Sequence, residues 1–503
     1  ILSFTFISQA MLDGRLHVFN KTATFLSLAQ VANDPIIKNS QKHLSLSSYE
    51  YDDKGKVIAL KNTTISSVFP HFLVSKLLAI TGVNEIALRS IIFVFSMIFL
   101  GLMYVFLLSS SKSFFESSFL LLLFSFLPIQ FLYSMHWNTF VFLAIFLLLS
   151  SFSLFKIQEQ KKTDSHYKKL FFLSLVLGSL SSLMYWAPFT VIFLFLYLKR
   201  ERSFFKQSWL WALLTVVSVS LLQLIFLSSL GFSFSDLFDY LRQSQSLEST
   251  VTYLSFLFRQ FYFLDYNFTF INAFFGLALL SFLILTKTYF KNSLLFTGSI
   301  FLVLGIVSVF FLPGLSYYDP SYQIAFAVSY ICLLGGFLVN MKKRIWVGPH
   351  VKIFTFSLLI PLVMITLFSA LSLRYNIYSS QFGKADDIAY LSSISKRVIY
   401  FENEISGPVE WWASPVISYY TSRFSRNERI QRGVIPYRKS LTLNRSQDRL
   451  VLAKSVPQSI RSQLLSKVLA PNLPVAVKKT SSFIFYSWKP PPPPKVKKVL
   501  ITK

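Results

Sequence analysis

Long apolar runs separated by short polar segments constrain this chain more than any other feature of its sequence. A helix that crosses a bilayer needs about 20 mostly apolar residues. Ten runs meet or approach that requirement, at 86–109, 114–134, 138–155, 170–185, 187–198, 208–230, 269–286, 292–312, 321–341 and 352–373. Only 14% of the 503 residues are charged, against about a quarter in soluble proteins. The sequence therefore predicts a polytopic α-helical membrane protein.

The charges of the connecting loops predict the orientation of these runs, because Lys and Arg concentrate in cytoplasmic loops. Fifteen Lys and Arg residues lie in four loops, which are 156–169, 199–207, 287–291 and 342–352. The alternate connections carry none or two, and they are 135–137, 184–188, 313–320 and 231–268. We therefore expect the first polar segment 9–65, the segment 231–268 and the tail from residue 374 on the outer face. The runs 170–185 and 187–198 form a pair of short spans, broken at "YWAP".

The C-terminal tail differs from the rest of the chain in its pattern. Short strand-like runs, bounded by polar residues, read "RVIYF", "RLVLAKSV" and "SSFIFYSW", and "SQLLSKVL" is typical of a helix. These runs predict a small α/β domain at 374–489, outside the cytoplasm. The following "KPPPPPKVKK" predicts an extended polyproline spacer within a basic tail at 490–503.

Positive charge is concentrated in the same tail. The chain has a net charge of +27, and residues 374–503 hold 22 Lys and Arg against 7 Asp and Glu. A basic surface beside a bilayer favours anionic lipid or an anionic envelope polymer as a partner. No nucleic-acid-binding motif accompanies the charge, so we expect no nucleic-acid partner. The sequence also shows no metal-ligand cluster, P-loop, nucleophile elbow or dinucleotide fingerprint.

Four short motifs occur in a recognisable order along the chain. They are "QAMLDGRL" (9–16), "SYEYDDKGKV" (48–57), "FPHFLVSKLLAITGVNEIALR" (69–89) and "SPVISYYTSRF" (414–424). In this order and on these sides of the membrane they resemble the polyprenol-phosphate-sugar-dependent glycosyltransferases of the GT-C superfamily. That superfamily includes the protein O-mannosyltransferases and the aminoarabinose transferases.

The resemblance implies a fold and an activity. It implies a GT-C-like transmembrane domain at 1–373, with about 10–11 transmembrane helices and the first outer loop at 9–65. It implies an inverting transfer of a sugar from a polyprenyl-phosphate donor to an envelope acceptor, in the bacterial inner membrane. The sugar, the acceptor and any divalent metal stay open.

Such a transfer needs a carboxylate that takes the proton of the acceptor. In the superfamily the carboxylate follows the first span, and the "GRL" match places that position near Leu2–Ser3, where this chain has no acid. Asp13 is the best-placed acid of the first outer loop, on an expected interfacial helix, although an ordinary solvated residue is the alternative. Asp52 and Asp53 precede Lys54-Gly55, as in a turn, and are weaker candidates.

The transfer also needs cations or donors that stabilise the leaving phosphate. The candidates on the expected outer face are His71, Lys76, Arg89, His136, Arg242 and Arg259. Snorkelling at a helix end is the alternative for Arg89. Relatives often have a basic residue at the outer end of the 170–185 run, where this chain has Tyr185 and Trp186.

Three classes of function compete. A glycosyltransferase is favoured by the order of the motifs. A catalytically silent relative, acting as a structural subunit of a membrane complex, is favoured by the missing early acid and by Tyr185-Trp186. A transporter is disfavoured, because the sequence shows no inverted repeat and few ionisable groups within the spans.

Overall fold

Helices dominate the part of the chain whose structure is known. The computed structural model describes residues 47–51, 57–62, 68–83, 85–134, 138–159, 165–199, 205–229, 242, 245–247, 251–286, 292–317, 320–344, 349–380, 397–400, 434–436, 448–453, 458, 462, 465–466, 475–479 and 483–488. The described residues form two compact units. The helices form the first unit, and the strands between Ser47 and Lys61 and between Arg397 and Trp488 form the second.

The helices follow one another with short connections. In chain order they are α1 Val68–Thr81, α2 Glu85–Ser111, α3 Phe114–Phe126, α4 Pro128–Tyr133, α5 Phe140–Glu159, α6 Ser165–Ser181, α7 Trp186–Leu198, α8 Phe205–Ser229, α9 Tyr253–Phe268, α10 Phe270–Thr286, α11 Ser293–Phe310, α12 Pro313–Ser316, α13 Ile324–Arg344 and α14 Pro349–Ser380. Two 3-10 turns, Leu183–Tyr185 and Pro320–Gln323, precede α7 and α13.

The pair α11 and α13 forms the centre of the bundle. The two helices approach closely because glycines face leucines across the contact. A Cβ atom at Gly298 would lie 2.6 Å from Leu333 Cδ2, and one at Gly336 would lie 2.6 Å from Leu295 Cδ2. Ser329 Oγ donates a hydrogen bond to the Gly298 carbonyl at 2.8 Å. The pair is therefore held by small residues and a short polar contact, as is common between membrane helices.

The other helices surround this pair. α3, α10 and α2 pack against α13, while α5 and α7 pack against α11. α6 packs against α5, and α8 packs against α6 and α7 at the periphery. Phe296 of α11 joins two of these neighbours, because its ring centroid lies 4.5 Å from that of Phe195 and 5.4 Å from that of Phe155.

Helix occupies all ten of the runs that the sequence predicted as spans. Within the described residues, five helices are individually long and apolar enough to cross a membrane, and six if a bent pair counts as one span. The five are Ile86–Ser111, Phe140–Gln158, Gln207–Phe226, Ser293–Phe310 and Ser321–Met341. These helices agree with the predicted polytopic helical membrane protein.

Two predicted spans are interrupted. The run 114–134 is broken at Leu127, where α3 ends and Pro128 begins α4. The break at "YWAP" lies slightly earlier than expected, because α6 ends at Ser181 and the 3-10 turn ends at Tyr185. Pro188 lies in the first turn of α7, where its missing N–H has no partner to lose.

The strands form two sheets. β1 (Ser47–Tyr51) and β2 (Val57–Asn62) form a two-stranded sheet, and they flank residues 52–56, the expected turn of "SYEYDDKGKV". The other five are β3 Arg397–Tyr400, β4 Val434–Pro436, β5 Asp448–Ala453, β6 Val475–Lys479 and β7 Phe483–Trp488.

These five strands form one mixed sheet with the order β4-β3-β5-β7-β6. β3 pairs in parallel with β4 and with β5, and β7 pairs antiparallel with β5 and with β6. The runs "RVIYF", "RLVLAKSV" and "SSFIFYSW" were therefore correctly predicted as strands. Leu450, Leu452, Ile484 and Phe485 are buried in this sheet. The domain boundaries at 373 and 489 stay a prediction.

Candidate functional site

The candidate site lies at the end of the helical bundle that the loop charges predict to face outward, called here the outer end. The N-terminal part of α2, the turn after α4, α1, α9 and the two 3-10 turns meet there. α1 packs against α2 and α6, and α9 packs against α4 and the turn Pro320–Gln323.

Arg89 is the buried cation of this end. It is 6% exposed, and it is the only buried positively charged side chain among those the structure describes. Ser96, two turns along the same face of α2, donates a hydrogen bond from its Oγ to the Ser134 carbonyl at 2.7 Å. Seven residues of helix span about 10 Å. Ser134, at the end of α4, therefore lies about 10 Å deeper in the bundle than Arg89.

Helix α1 presents two of the predicted ligands on different faces. Pro70, Val74, Ser75 and Leu78 are its buried residues, and His71 lies among them on the helical wheel, half-buried. Lys76 is exposed on the opposite side, with its Nζ 5.6 Å from the centre of the Phe72 ring. A separation of five residues turns a side chain by about 140° on a helix. His71 thus faces the bundle and Lys76 faces away from it.

A buried amide cluster fastens α9 to the outer turns of the central pair. Gln260 Nε2 donates to the Ser316 carbonyl at 3.0 Å. Gln323 Nε2 lies 3.0 Å from both the side-chain and the backbone carbonyl oxygen of Gln260. Asn267 Nδ2 donates to Gln323 Oε1 at 3.1 Å. These bonds hold α9 across the ends of α11 and α13.

The chain turns sharply between α9 and α10. The two helices meet at an angle of 109°. The bend is at Thr269, whose φ is 68° and whose ψ is 147°, a conformation that a β-branched residue rarely adopts. Asn272 Nδ2 donates to Thr366 Oγ1 at 2.7 Å, and Tyr330 Oη donates to Asn272 Oδ1 at 3.0 Å. Polar contacts therefore fix the chain on both sides of the strained residue.

The face of α9 that points away from the bundle is aromatic. Its exposed large side chains are Tyr253, Leu254, Phe258, Phe261 and Tyr262. The guanidinium of Arg259 lies 4.6 Å from the centre of the Phe263 ring and 5.4 Å from that of Tyr262. The buried side of α9 combines Phe256, Phe263 and Phe268 with the hydrogen-bonded Gln260 and Asn267. An aromatic outward face is typical of a helix at the membrane surface. Helix α9 is therefore amphipathic.

Tyr185 and Trp186 are engaged with the protein. Tyr185 is 1% exposed, and its ring fills the space beside Gly178, where a Cβ atom would lie 2.4 Å from it. Trp186 Nε1 donates to Ser220 Oγ at 3.1 Å. The two residues fix α7 against α6 and α8, and neither replaces the basic residue that relatives often have there.

Most of the remaining predicted site residues lie outside the part of the chain that the structure describes. Asp13 and His136 lie outside the described residues, as do Asp52, Asp53 and the motif "SPVISYYTSRF". Arg242 is exposed, and its carbonyl accepts from the Ser246 N–H at 3.0 Å. The described residues contain no group of three or more His, Cys, Asp or Glu side chains that could hold a metal.

Sequence reasoning missed several polar residues of this end. Asp265 is exposed on the aromatic side of α9, and its place on an amphipathic outer helix was a signal that could have found it. Gln260 and Gln323 are 63 residues apart in the chain, and no sequence pattern pairs them.

The comparisons with known proteins rest on structure alone. No family model matches the chain, and no curated protein matches its sequence. A crystal structure of ArnT from Cupriavidus metallidurans bound to undecaprenyl phosphate superposes with a TM-score of 0.59 at 11% identity, over 96% of each chain. Over 96% of this chain and 97% of that one, the apo structure of the same protein gives a TM-score of 0.57 at 9% identity.

The chain has the fold of ArnT. ArnT is a GT-C glycosyltransferase that transfers aminoarabinose. The expected GT-C architecture is thereby confirmed over nearly the whole chain, and the protein is an integral membrane protein. At this level of identity the similarity concerns the fold.

Proposed function

We propose that the chain is a membrane glycosyltransferase, which transfers a sugar from a polyprenyl-phosphate donor to an envelope acceptor on the outer face of the bacterial inner membrane. The observation that carries this proposal is the fold shared with ArnT, which is bound to undecaprenyl phosphate in its crystal structure. An outer end with a buried arginine is a suitable place for a lipid phosphate.

In this proposal Arg89 binds the phosphate that leaves with the polyprenol. A guanidinium that is withdrawn from water binds an oxyanion more strongly than an exposed one, since the local dielectric is low and two N–H groups match two oxygens. Lys76, exposed on α1, would attract the headgroup from the leaflet. His71, His136, Arg242 and Arg259 are further proposed contacts for the donor.

In this proposal Asp13 is the general base that accepts the proton of the acceptor hydroxyl. In an inverting transfer the carboxylate accepts this proton while the hydroxyl oxygen attacks the anomeric carbon and the polyprenyl phosphate leaves. Removing a general base typically lowers the rate by about 10²–10⁴. A divalent metal is not part of this proposal.

The experiment is a transfer assay with purified full-length protein and radiolabelled polyprenyl-phosphate sugars in detergent. We expect Asp13→Asn to abolish transfer while donor binding persists, and Arg89→Leu to weaken donor binding. Asp265→Asn is the matched control, because Asp265 is an exposed carboxylate of α9 at the outer end. Loss of transfer in Asp265→Asn with full activity in Asp13→Asn would reject the assignment of the base.

A catalytically silent subunit of an envelope complex is the second candidate. Tyr185 and Trp186 favour it, because both side chains are engaged in packing α7 where relatives often carry a cation. A protein that binds polyprenyl phosphate but transfers no sugar from any donor, and that co-purifies with other membrane proteins, would support this candidate instead.

The C-terminal sheet domain is proposed to lie outside the cytoplasm, where its positive charge would bind anionic lipid or an envelope polymer. The positively charged residues after 489 would bind the same anionic partner. The isolated tail peptide 490–503 should sediment with phosphatidylglycerol vesicles and stay in solution with phosphatidylcholine vesicles, which would support the lipid partner.

A further inference from the structure

One more polar side chain is buried near the outer end, and none of the contacts described above involves it. Helix α8 lies at the periphery, with only 28% of its span Gln207–Phe226 buried in the protein. Its buried residues are Ser208, Ala212, Val216 and Gln223, which form one stripe facing α6 and α7. The first three are small or apolar. Gln223 is the large polar member of the stripe and is 3% exposed.

The amide of Gln223 makes no hydrogen bond within the described structure. Neither Oε1 nor Nε2 has a partner, and both atoms are inaccessible to solvent. Burying an unpaired amide destabilises a protein by about 1–3 kcal/mol. A leucine of similar volume would fill the same space without that penalty. Buried polar groups without a partner are rare in proteins, and each one calls for an explanation such as a catalytic role or a bound water or ion.

The position of Gln223 follows from a neighbouring hydrogen bond. Ser220, one turn earlier on α8, accepts from Trp186 Nε1 at 3.1 Å, and Trp186 is the first residue of α7. Three residues of helix rise about 4.5 Å. Gln223 therefore lies just beyond the start of α7, at the outer end of the bundle, beside the end of α6. Helix α1 also packs against α6.

The chemistry of the amide selects its ligand. A primary amide is uncharged and offers both donors and an acceptor. A phosphate monoanion mainly accepts hydrogen bonds and would leave Oε1 unpaired. A hydroxyl group donates and accepts, and so satisfies both ends of the amide.

We propose that Gln223 binds a hydroxyl group of the sugar carried by the lipid donor and thereby contributes to sugar preference. This assignment rests on the proposed function. In this assignment Arg89 binds the charged phosphate of the donor, and Gln223 binds its neutral sugar. Because the amide does not titrate, its contribution to donor affinity is independent of pH.

The test compares Gln223→Leu with Gln207→Leu, a matched change at an exposed position of the same helix. Purified full-length proteins are titrated in detergent with polyprenyl phosphate, polyprenyl-phosphate mannose, polyprenyl-phosphate aminoarabinose and phosphatidylglycerol. Native mass spectrometry gives the affinities, and thermal unfolding gives the stability without lipid.

We expect the unliganded Gln223→Leu protein to be at least as stable as the wild type. We expect it to lose about three- to tenfold in affinity for the tighter sugar-bearing donor, the effect of one or two neutral hydrogen bonds. Its affinity for bare polyprenyl phosphate should equal that of the wild type, and Gln207→Leu should resemble the wild type throughout.

Three results would overturn the assignment alone. One is a Gln223→Leu protein that keeps the wild-type preference for the sugar-bearing donor. Another is a large loss of stability without lipid, which would mean that the amide has a structural partner. The third is a selective loss of phosphatidylglycerol binding, which would identify a phospholipid glycerol as the source of the hydroxyl. A wild-type protein that binds no polyprenyl lipid would instead reject the proposed function itself.

Discussion

The close approach of α11 and α13 can be tested by adding a single methyl group. In Gly336→Ala the new Cβ would lie 2.6 and 2.7 Å from two side-chain carbons of Leu295 and 3.1 Å from its backbone nitrogen. Leu295 is fully buried, so its side chain has no free space to enter. The helices must then separate by a few tenths of an ångström.

The magnitude follows from a matched control. Gly101 lies within α2, and a Cβ atom there would meet nothing within 4 Å. Both Gly→Ala changes gain the same helix propensity, about 1 kcal/mol, so the difference between them isolates the packing effect. Overpacking of a core typically destabilises by about 1–3 kcal/mol. We expect Gly336→Ala to be less stable than Gly101→Ala by that amount.

The assay is reversible unfolding of the purified protein by SDS in mixed micelles, followed by circular dichroism. Adding Leu295→Ala should recover part of the loss, since the shorter side chain makes room for the methyl group. The two changes would then be non-additive, as expected for residues in contact. Equal stabilities of Gly336→Ala and Gly101→Ala would refute the close contact between these helices.

Three further predictions concern the outer end and the sheet domain. Thr269 Oγ1 accepts a hydrogen bond from Asn272 Nδ2 at 3.1 Å, and Thr269→Gly and Thr269→Val both remove it, at a cost of about 1 kcal/mol. Only glycine also adopts the positive φ without strain, so Thr269→Gly should unfold at a higher temperature than Thr269→Val; the reverse order would argue against strain at the bend. Gln323→Leu should destabilise by about 1–3 kcal/mol by leaving buried amides unpaired, and the double change with Gln260→Leu should destabilise by less than the sum in thermal melts. In whole cells, a Val477→Cys protein that also carries Cys332→Ser should react with a membrane-impermeant maleimide, since Val477 is half exposed, and labelling only after lysis would reverse the predicted orientation.

The positions of the helices could be predicted from sequence because lipid leaves the backbone few alternatives. A run of 20 apolar residues must satisfy its own hydrogen bonds, so composition alone locates a helix. The strands of the tail were predictable for a different reason, since β-branched and aromatic residues recur between polar breaks at β3, β5 and β7. Both kinds of signal are local.

The geometry of the candidate site depends on contacts that are not local. The sequence at Thr269 does not predict the bend of 109°, because sharp bends between helices usually contain glycine or proline and not threonine. The contact between Gln260 and Gln323 joins segments far apart in the chain. By contrast, the separation of His71 from Lys76 on α1 could have been predicted, since helical periodicity alone puts residues five apart on different faces. The roles of Asp13 and Arg89 stay predictions.

Two neighbouring helices differ so much in length that they match bilayers of different hydrophobic thickness. Helix α7 has 13 residues, about 20 Å, and helix α8 has 25, about 38 Å. The hydrocarbon core of a typical bilayer is about 30 Å thick. Both helices expose leucines, including Leu194 and Leu222, so no uniform bilayer matches this side of the protein. Tilting accommodates a long helix, while thinning of the bilayer accommodates a short one. We therefore expect the bilayer to be thinner beside α7 than around the rest of the molecule, with the lipid headgroups near the level of Trp186.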